Sequence, residues 1–413
     1  MSRNEYIVGL DIATTKVAAI IAEINSSSIP KIVGVGVAPS TGMRKGVVVN
    51  LEQTVQAIKK AISEAERMAG VSVKSVYVGI GGEHIRSVNS RGVVAVSRTD
   101  NEITPKDVER VLEAAQAVSI PGNKEIIHVL SQEYIVDDQA GIKDPVGMSG
   151  VRLESEVHIV TASITSSQNV ITCVKRAGFI VKEIILESLA SSLSVLKPDE
   201  KELGCAVMDM GGGTTDVALF FEGSIRNSFV IGLGGTNVTS DVAIGLRTPL
   251  SHAESIKIDR GCALRSMVDE DETLEVPGPG GRPSREVSHR LLAAVIEPRV
   301  EEIFELVRRE INRTDYAHLL AAGIIITGGV SLMEGIQELA EDVFDLPVRL
   351  GIPGEMTGLK DMVENPCHAT GMGLILHGLG NLRNGNHHGI LMHDSPGTKI
   401  MEKMKVWLKD LVY

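Results

Sequence analysis

Residues 207–223 read VMDMGGGTTDVALFFEG. An apolar run ends at an Asp, three glycines and two threonines follow, and a second apolar run leaves. The pattern predicts a β-hairpin with a Gly-rich turn. One such turn decides little alone. Its weight comes from residues 9–24, GLDIATTKVAAIIAEI, which repeat the plan of strand, Asp, small and hydroxyl residues, strand. With Asp11 set against Asp209 and Val17 against Val217, the second loop is the longer by two residues. Internal duplication of this kind predicts two similar halves, each opening on a hairpin with an Asp-bearing turn.

The residue types point to phosphate chemistry. Gly211, Gly212 and Gly213 let backbone approach a ligand and adopt positive φ. Their N–H groups, with the hydroxyls of Thr214 and Thr215 and of Thr14 and Thr15, can donate to phosphate oxygens. Lys16 brings a positive charge beside them. Asp11 and Asp209 cannot face bare phosphate, but suit a hydrated Mg²⁺, which prefers carboxylates through water. Two facing hairpins would clamp a polyphosphate from both sides. A third segment, IIITGGVSLMEGI at 324–336, reads as a buried strand, a Gly-Gly turn (Gly328, Gly329) and a helix, which suits close backbone approach to a nucleoside. A fourth, beginning IGLGGTNVTSD at 231, supplies Gly234 and Gly235. It continues to Glu254 and Lys257, three apart on one helical face. By itself that pair is more often a solvated surface pair; beside the other segments it is placed to meet a ribose and a base edge.

Composition bounds the rest. The chain has 413 residues, 43% hydrophobic and only 3% aromatic, so the core must be Val, Ile, Leu and Ala. A net charge of −12 argues against a nucleic-acid partner, whose footprint is usually basic. Four scattered cysteines (Cys173, Cys205, Cys262, Cys367) form no CxxC pair, which argues against zinc and against a disulfide framework. Glu5, Asp11, Lys16 and Glu23 interrupt the first apolar run, so no signal peptide is expected.

Along the chain, the first hairpin is followed by strands at 33–38 and 47–49, a helix over Leu51–Ala69 closed by Gly70, and a strand at 73–80. From about His84 the texture changes to a strand–helix–strand–strand insertion, with Thr104 and Pro105 opening its helix. A helix (168–177), a strand (180–185) and a helix (188–196) close the first half. After the second hairpin come helices at 238–246, 252–260, 288–312 and 335–343. VPGPGGRPSR at 276–285 reads as an exposed turn, and CHATGMGLILHGLG at 367–380 as a small-residue helix.

These segments together resemble the actin-like ATPase superfamily: its two phosphate motifs in the hairpins, its adenosine motif at 324–336, and its two connecting helices in IVKEIILESLASSLSVL and PCHATGMGLIL. Within it the chain is similar to the FtsA family of bacterial cell-division proteins, on the 84–162 insertion, on GLGGTNVTSDVAIGLRTPLSHAESIK and GGRPSREVSHRLLAAVIEPRVEEIFELV, and on its C-terminal amphipathic stretch. The resemblance implies an α/β, actin-like (ribonuclease-H-like) duplicated fold. Residues 1–83, 163–200 and 362–383 would form the first core subdomain, and 84–162 an inserted small α+β subdomain. Residues 201–232 and 315–361 would form the second core, 233–314 an outer subdomain, 384–396 a flexible linker, and 397–413 a membrane-targeting helix.

The same resemblance implies ATP and Mg²⁺ as ligands with weak or absent hydrolysis. Glu187 matches the acid that related filament proteins use to orient an attacking water. It implies a head-to-tail filament on the cytoplasmic face of the inner membrane at the division site, the C-terminal tail of FtsZ as partner, and later division proteins on the insertion. The 288–312 helix offers Arg299, Arg308 and Arg309 to an acidic tail, among Glu297, Glu301, Glu302, Glu305 and Glu310; of these, Arg299 matches a position the family implicates. The family usually has Gly where Ala13 stands. If that turn needs positive φ, Ala costs roughly 1 kcal/mol there. The alternatives are a PilM-like scaffold of pilus assembly, which lacks a terminal amphipathic helix, and a sugar-kinase-type ATPase, for which no general-base Asp can be placed.

The chain ends TKIMEKMKVWLKDLVY and holds its single Trp there. At 100° per residue, Ile400, Met401, Met404, Trp407, Leu408, Leu411 and Val412 share an arc of about 140°. Lys403 and Lys405 flank it, where lysines can snorkel; Val406 alone falls on the wrong side. The pattern is that of an interfacial helix on an anionic membrane surface.

Overall fold

The computed structural model describes residues 5–24, 29–96 and 100–383. Two sheets carry the duplication. In the first, the strands lie in the spatial order Lys31–Pro39, Lys16–Ile24, Glu5–Ile12, Ser75–Ile80, Ile180–Leu186. In the second the order is Ser224–Ile231, Thr215–Phe221, Cys205–Met210, Ile324–Thr327, Val348–Leu350. Each sheet thus begins with a three-stranded antiparallel meander and ends with two parallel strands. The meanders need only tight turns, whereas each parallel neighbour needs a crossover. The crossovers carry the helices, the insertion and the outer subdomain. One boundary shifts: Thr357–Gly358 pairs with Lys31–Ile32 of the first sheet, so the chain leaves the second core before residue 361.

Local sequence explains the helices of the first half. Leu51–Ala69 is capped by the Asn50 side chain, which accepts from the Gln53 N–H, and ends at Gly70 with φ 69°. The connecting helices Glu187–Val195 and Ala369–Arg383 cross so closely that a Cβ at Gly373 would collide with the Ala190 carbonyl. That contact is why the last helix is built of small residues. The buried interior is overwhelmingly Val, Ile, Leu and Ala.

The insertion forms its own sheet, ordered Arg86–Ala95, Arg152–Ser163, Lys124–Val136, Gln139–Ile142, with helix Pro105–Ala115 over it. Its helix opens where the Asp107 carboxylate accepts from both the N–H and the hydroxyl of Thr104. Three of its strands, Arg86–Ala95, Arg152–Ser163 and Lys124–Val136, meet the edge strand Ser224–Ile231 of the second core across a polar seam. Ser87 Oγ donates to the Ser228 carbonyl (2.6 Å), Asn89 Nδ2 to that of Arg226 (2.9 Å), and Gln132 Nε2 to that of Ile225 (2.9 Å). His158, 1% exposed, bridges Asn89 Oδ1 and Ser228 Oγ, and burial holds it neutral with its pKa lowered to about 3.

In the outer subdomain, strands Thr273–Val276 and Arg285–Ser288 pair on either side of the Pro/Gly turn. Sequence periodicity missed them because each has only four residues. No helix among the described residues is long and apolar enough to cross a membrane. The 384–396 stretch and the 397–413 amphipathic pattern, with Ile400, Met401, Met404, Trp407, Leu408 and Leu411, lie outside the described residues.

Candidate functional site

The two hairpin turns face each other across a cleft with a cavity of about 370 Å³. Strand register corrects their alignment. Ile12 stands opposite Val17, and Met210 opposite Thr215. Both turns therefore have four residues, and neither loop is longer. Both close the same way: the Ala13 N–H donates to the Lys16 carbonyl (3.0 Å) and the Gly211 N–H to the Thr214 carbonyl (2.9 Å). By register Val17 answers Thr215 and Lys16 answers Thr214. The apolar pattern alone pairs Val17 with Val217, two residues out of register.

Two further expectations change. Ala13 is not among the residues with positive φ, so it carries no backbone strain. Nor do Gly211, Gly212 or Gly213 adopt positive φ. The glycines instead make room for the opposite hairpin. A Cβ at Gly212 would stand 2.5 Å from Thr15 Cγ2, and one at Gly213 2.5 Å from Thr14 Oγ1. Thr215 is also corrected: fully buried, it donates its hydroxyl to the Leu233 carbonyl (3.0 Å) and does not reach the cleft.

The cleft floor is acidic. Asp11, Asp209, Asp216 and Glu187 all line it. Burial lifts the Asp11 carboxyl to about 6, with Lys16 opposing and Asp209 adding to the rise. Burial likewise lifts Asp216 to about 7, helped by the negative charge of Asp209. Asp209 is raised by burial, against the Thr370 hydroxyl that donates to its Oδ2 (2.9 Å) and the charge of Lys16. Glu187, at the N-terminus of its helix, is pushed well above the usual carboxylate range by burial and by its three acidic neighbours. Lys16 donates to the Cys367 carbonyl, tying the first hairpin to the base of the last helix.

The remaining wall comes from the second half. Gly328, with φ 85°, brings the chain so close that a Cβ there would stand 2.5 Å from Asp209 Oδ1; Gly329 lines the cleft beside it. Gly235, Glu254 and Lys257 also line it. Lys257 donates to Glu254 Oε2 (2.8 Å) and Thr239 Oγ1 (3.0 Å), so the pair is bonded within the wall. Gly234 sits behind, its N–H donating to the Asn237 side chain. Sequence reading missed Asp216, Thr370 and Cys367. An Asp amid the buried strand TTDVALFF was the one available signal for Asp216.

Arg299 lies elsewhere, on helix His289–Asn312 of the outer subdomain. It donates to both Asp241 oxygens (2.5 and 3.4 Å) and to Glu302, and the hydrogen bond to Asp241 raises its pKa. Arg308 is bonded to Glu305 and to the Val343 carbonyl.

The residues fit a magnesium-bound polyphosphate. Asp216 is 3% exposed, yet its Oδ1 has no hydrogen-bond partner among the described residues. Such a buried acceptor is costly unless a ligand or water completes it. Among those residues no cluster of three or more His, Cys, Asp or Glu is arranged to hold a metal ion directly.

Comparison with known proteins agrees with this architecture. The family model described as "Cell division protein FtsA" matches residues 206–373, and that described as "SHS2 domain inserted in FTSA" matches 82–161. The FtsA protein of Pseudomonas aeruginosa is 50% identical over 410 residues, covering 98% of both chains. Among solved structures, the PilM–PilN type IV pilus biogenesis complex aligns with a TM-score of 0.65 at 16% identity, over 90% of this chain and 98% of that one. MreB5 of Spiroplasma citri bound to ADP aligns with a TM-score of 0.57 at 16% identity, over 92% and 99%. At such identity these two likenesses show the actin-like fold alone.

Proposed function

The chain belongs to the FtsA family of bacterial cell-division proteins, and from that premise we propose that it binds ATP with Mg²⁺ and polymerises on the inner face of the cytoplasmic membrane, where it tethers FtsZ filaments. The observation that carries the nucleotide reading is the pair of hairpin turns facing each other over four clustered carboxyls, of which Asp11 and Asp216 are buried. Bound Mg²⁺–ATP would neutralise that acidic floor. Asp11 and Asp209 would hold the ion through water, and Lys16 would exchange the Cys367 carbonyl for a phosphate oxygen. Backbone N–H groups of Thr14–Thr15 and Gly212–Thr214 would donate to phosphates from either side. The wall of Gly235, Glu254, Lys257 and Gly329 would take the nucleoside.

Tethering is assigned to regions away from the cleft. The outer subdomain would receive the FtsZ tail near Arg299, where an acidic peptide must displace Asp241 or Glu302 from the guanidinium. Later division proteins would bind the insertion, and copies would stack head to tail, a contact that yields filaments when it does not close. The Lys-flanked arc around Trp407 would meet the membrane. Each lysine contributes on the order of 1 kcal/mol at an anionic surface, and a segment this short is not helical alone. One tail binds weakly; a filament of many binds by avidity, with gains of roughly 10² or more.

Electron microscopy on anionic lipid monolayers with ATP tests the assembly. Filaments should form with the full chain and disappear when the last 16 residues are removed. Trp407→Glu should abolish vesicle co-sedimentation while ATP binding persists. Vesicle binding by a chain ending at Asn384 would refute the tether, and unchanged FtsZ-tail affinity in Arg299→Ala would refute that contact.

A further inference from the structure

The end of the first sheet farthest from the cleft gathers cations, in a chain whose net charge is −12. Strands Ser75–Ile80 and Ile180–Leu186 run in parallel from that end to the cleft, a length of about 20 Å. Lys74 and Ile180 open them side by side, the Ile180 N–H donating to the Lys74 carbonyl (2.9 Å). Helix Ile164–Ala177 delivers Lys175 and Arg176 to the same end, through a tight reversal at Gly178 with φ 104°. Helix Leu51–Ala69 packs beside it and ends there with Met68. Lys182 follows on the edge strand, its ammonium 5.5 Å over the Tyr77 ring.

Elsewhere the cations sit on acids, as Arg226 does on Glu222, Arg299 on Asp241 and Arg349 on Glu200. Lys74, Lys175, Arg176 and Lys182 have no acidic partner among the described residues. The helix dipole accounts for Lys175 and Arg176, and the Tyr77 ring for Lys182. Neither accounts for Lys74, nor for the large apolar side chains left exposed among the cations, Ile180 at 61% and Met68 at 44%. The last helix shows what this face meets. It runs from the cleft, where Thr370 donates to Asp209, to Arg383 at the far end. There the Asn381 amide donates to Glu183 Oε2 (3.0 Å), next to Lys182. The described chain stops at Arg383, and residues 384–397, which can span at most about 50 Å, lead to the Lys-flanked arc around Trp407. The tail is thus attached at this face. Its own lysines outnumber its acids, so it is repelled by the cations here, whereas an anionic bilayer attracts both.

Resting on the tethering reading above, we propose that this end of the first core is a second membrane-binding surface. Lys74, Lys175, Arg176 and Lys182 meet anionic lipid headgroups, and Ile180 and Met68 reach the boundary between headgroups and acyl chains. Each cation close to such a surface is worth roughly fivefold in affinity. Stable anchoring by weak signals takes two of them, and here the tail is one and the face the other. The tail brings the body to the bilayer; the face sets its orientation, with the strands upright and the cleft turned away from lipid.

The test uses the full chain with vesicles of phosphatidylcholine, alone or mixed with phosphatidylglycerol. The chain has a single Trp, so Ile180→Trp combined with Trp407→Phe puts one fluorescent reporter on this face. Brominated acyl chains in the anionic vesicles should quench it. They should leave unquenched the same reporter placed by Ile244→Trp on the outer subdomain. The triple variant Lys74→Ala, Lys175→Ala, Arg176→Ala should bind anionic vesicles about 10-fold more weakly or worse, with its melting temperature and its binding to neutral vesicles unchanged. An unquenched Ile180→Trp reporter on a chain that does bind, or a triple variant that binds as tightly as wild type, overturns this face and leaves the tether standing. A wild-type chain that ignores anionic vesicles overturns both. Without lipid, the Ile180→Trp emission should not change when the last 16 residues are removed or the protein is concentrated. A change would give the face to the tail or to a second copy, and overturn the proposal.

Discussion

The two hairpins at the cleft have the same register, the same turn length and the same closing hydrogen bond, yet they carry different chemistry. The first presents side chains: the Thr14 and Thr15 hydroxyls and the Lys16 ammonium. The second presents bare backbone, Gly211 to Gly213, with Asp216 beneath. Each lacks what the other has. The glycines of one turn make space for the threonines of the other, and the lysine of one offsets the acids of both. Duplicated scaffolds can thus diverge into complementary halves of one site without altering a single strand pairing.

If the first hairpin supplies the charge, Lys16→Ala should have the largest effect on triphosphate affinity. A charge-assisted hydrogen bond is worth about 1.5–3 kcal/mol, so the loss should be on the order of 10- to 100-fold in Kd by titration calorimetry. Its register equivalent, Thr214→Ala, removes a neutral donor worth about 0.5–1.5 kcal/mol and should cost 10-fold at most. Equal losses would break the division of labour. If bulk is shared between the tips, Gly212→Ala should weaken binding several-fold, and adding Thr15→Ser, which removes the nearest colliding atom, Cγ2, but keeps the hydroxyl, should restore part of it. No rescue would mean that the clash is absorbed elsewhere.

The acids give a pH test. A folded pKa raised above the unfolded value means the native state binds extra protons, so that stability is greatest at low pH and falls as pH rises. For Asp11 and Asp216 the window runs from 3.8 in the unfolded chain to about 6 and about 7 in the folded one. The nucleotide-free chain in EDTA should therefore lose melting temperature between pH 5 and pH 8. Asp216→Asn should lose less over the same interval, and Mg²⁺ should flatten the profile by neutralising the floor. The smallest effect belongs to Ala13→Gly. With no positive φ to relieve, it should destabilise by no more than about 1 kcal/mol, through added freedom of the unfolded chain. A rise in melting temperature would mean the turn is strained after all.

Much of this was legible because it is local. Hairpins, caps and the small-residue helix are written in contiguous residue types, and Asn50 and Gly70 mark the ends of a helix as plainly in sequence as in space. The alignment of the hairpins was misread because Val17 and Val217 share an apolar pattern, whereas pairing depends on the opposite strand. Asp216 was missed because the cleft it lines is shared with Asp11 and Glu187, distant in sequence. The partners of Arg299 were hidden for the same reason, since Asp241 lies 58 residues upstream.

The seam between the insertion and the second core has a consequence for how this protein can change over time. The insertion reads its neighbour chiefly through the carbonyls of Ile225, Arg226 and Ser228. Carbonyls are the same whatever residue bears them. Mutational freedom across the seam should therefore be lopsided. Strand Ser224–Ile231 can drift only where its side chains face away, since Ser228 is held by His158, Ser224 by the Gln132 carbonyl and Arg226 by Glu133. Ser87, Asn89 and Gln132 on the insertion have no such latitude, because each donates with its own side chain. Grafting an insertion from one chain onto another would then depend on those three donors and His158 on one side, and on the side chains of Ser224, Arg226 and Ser228 on the strand that receives them.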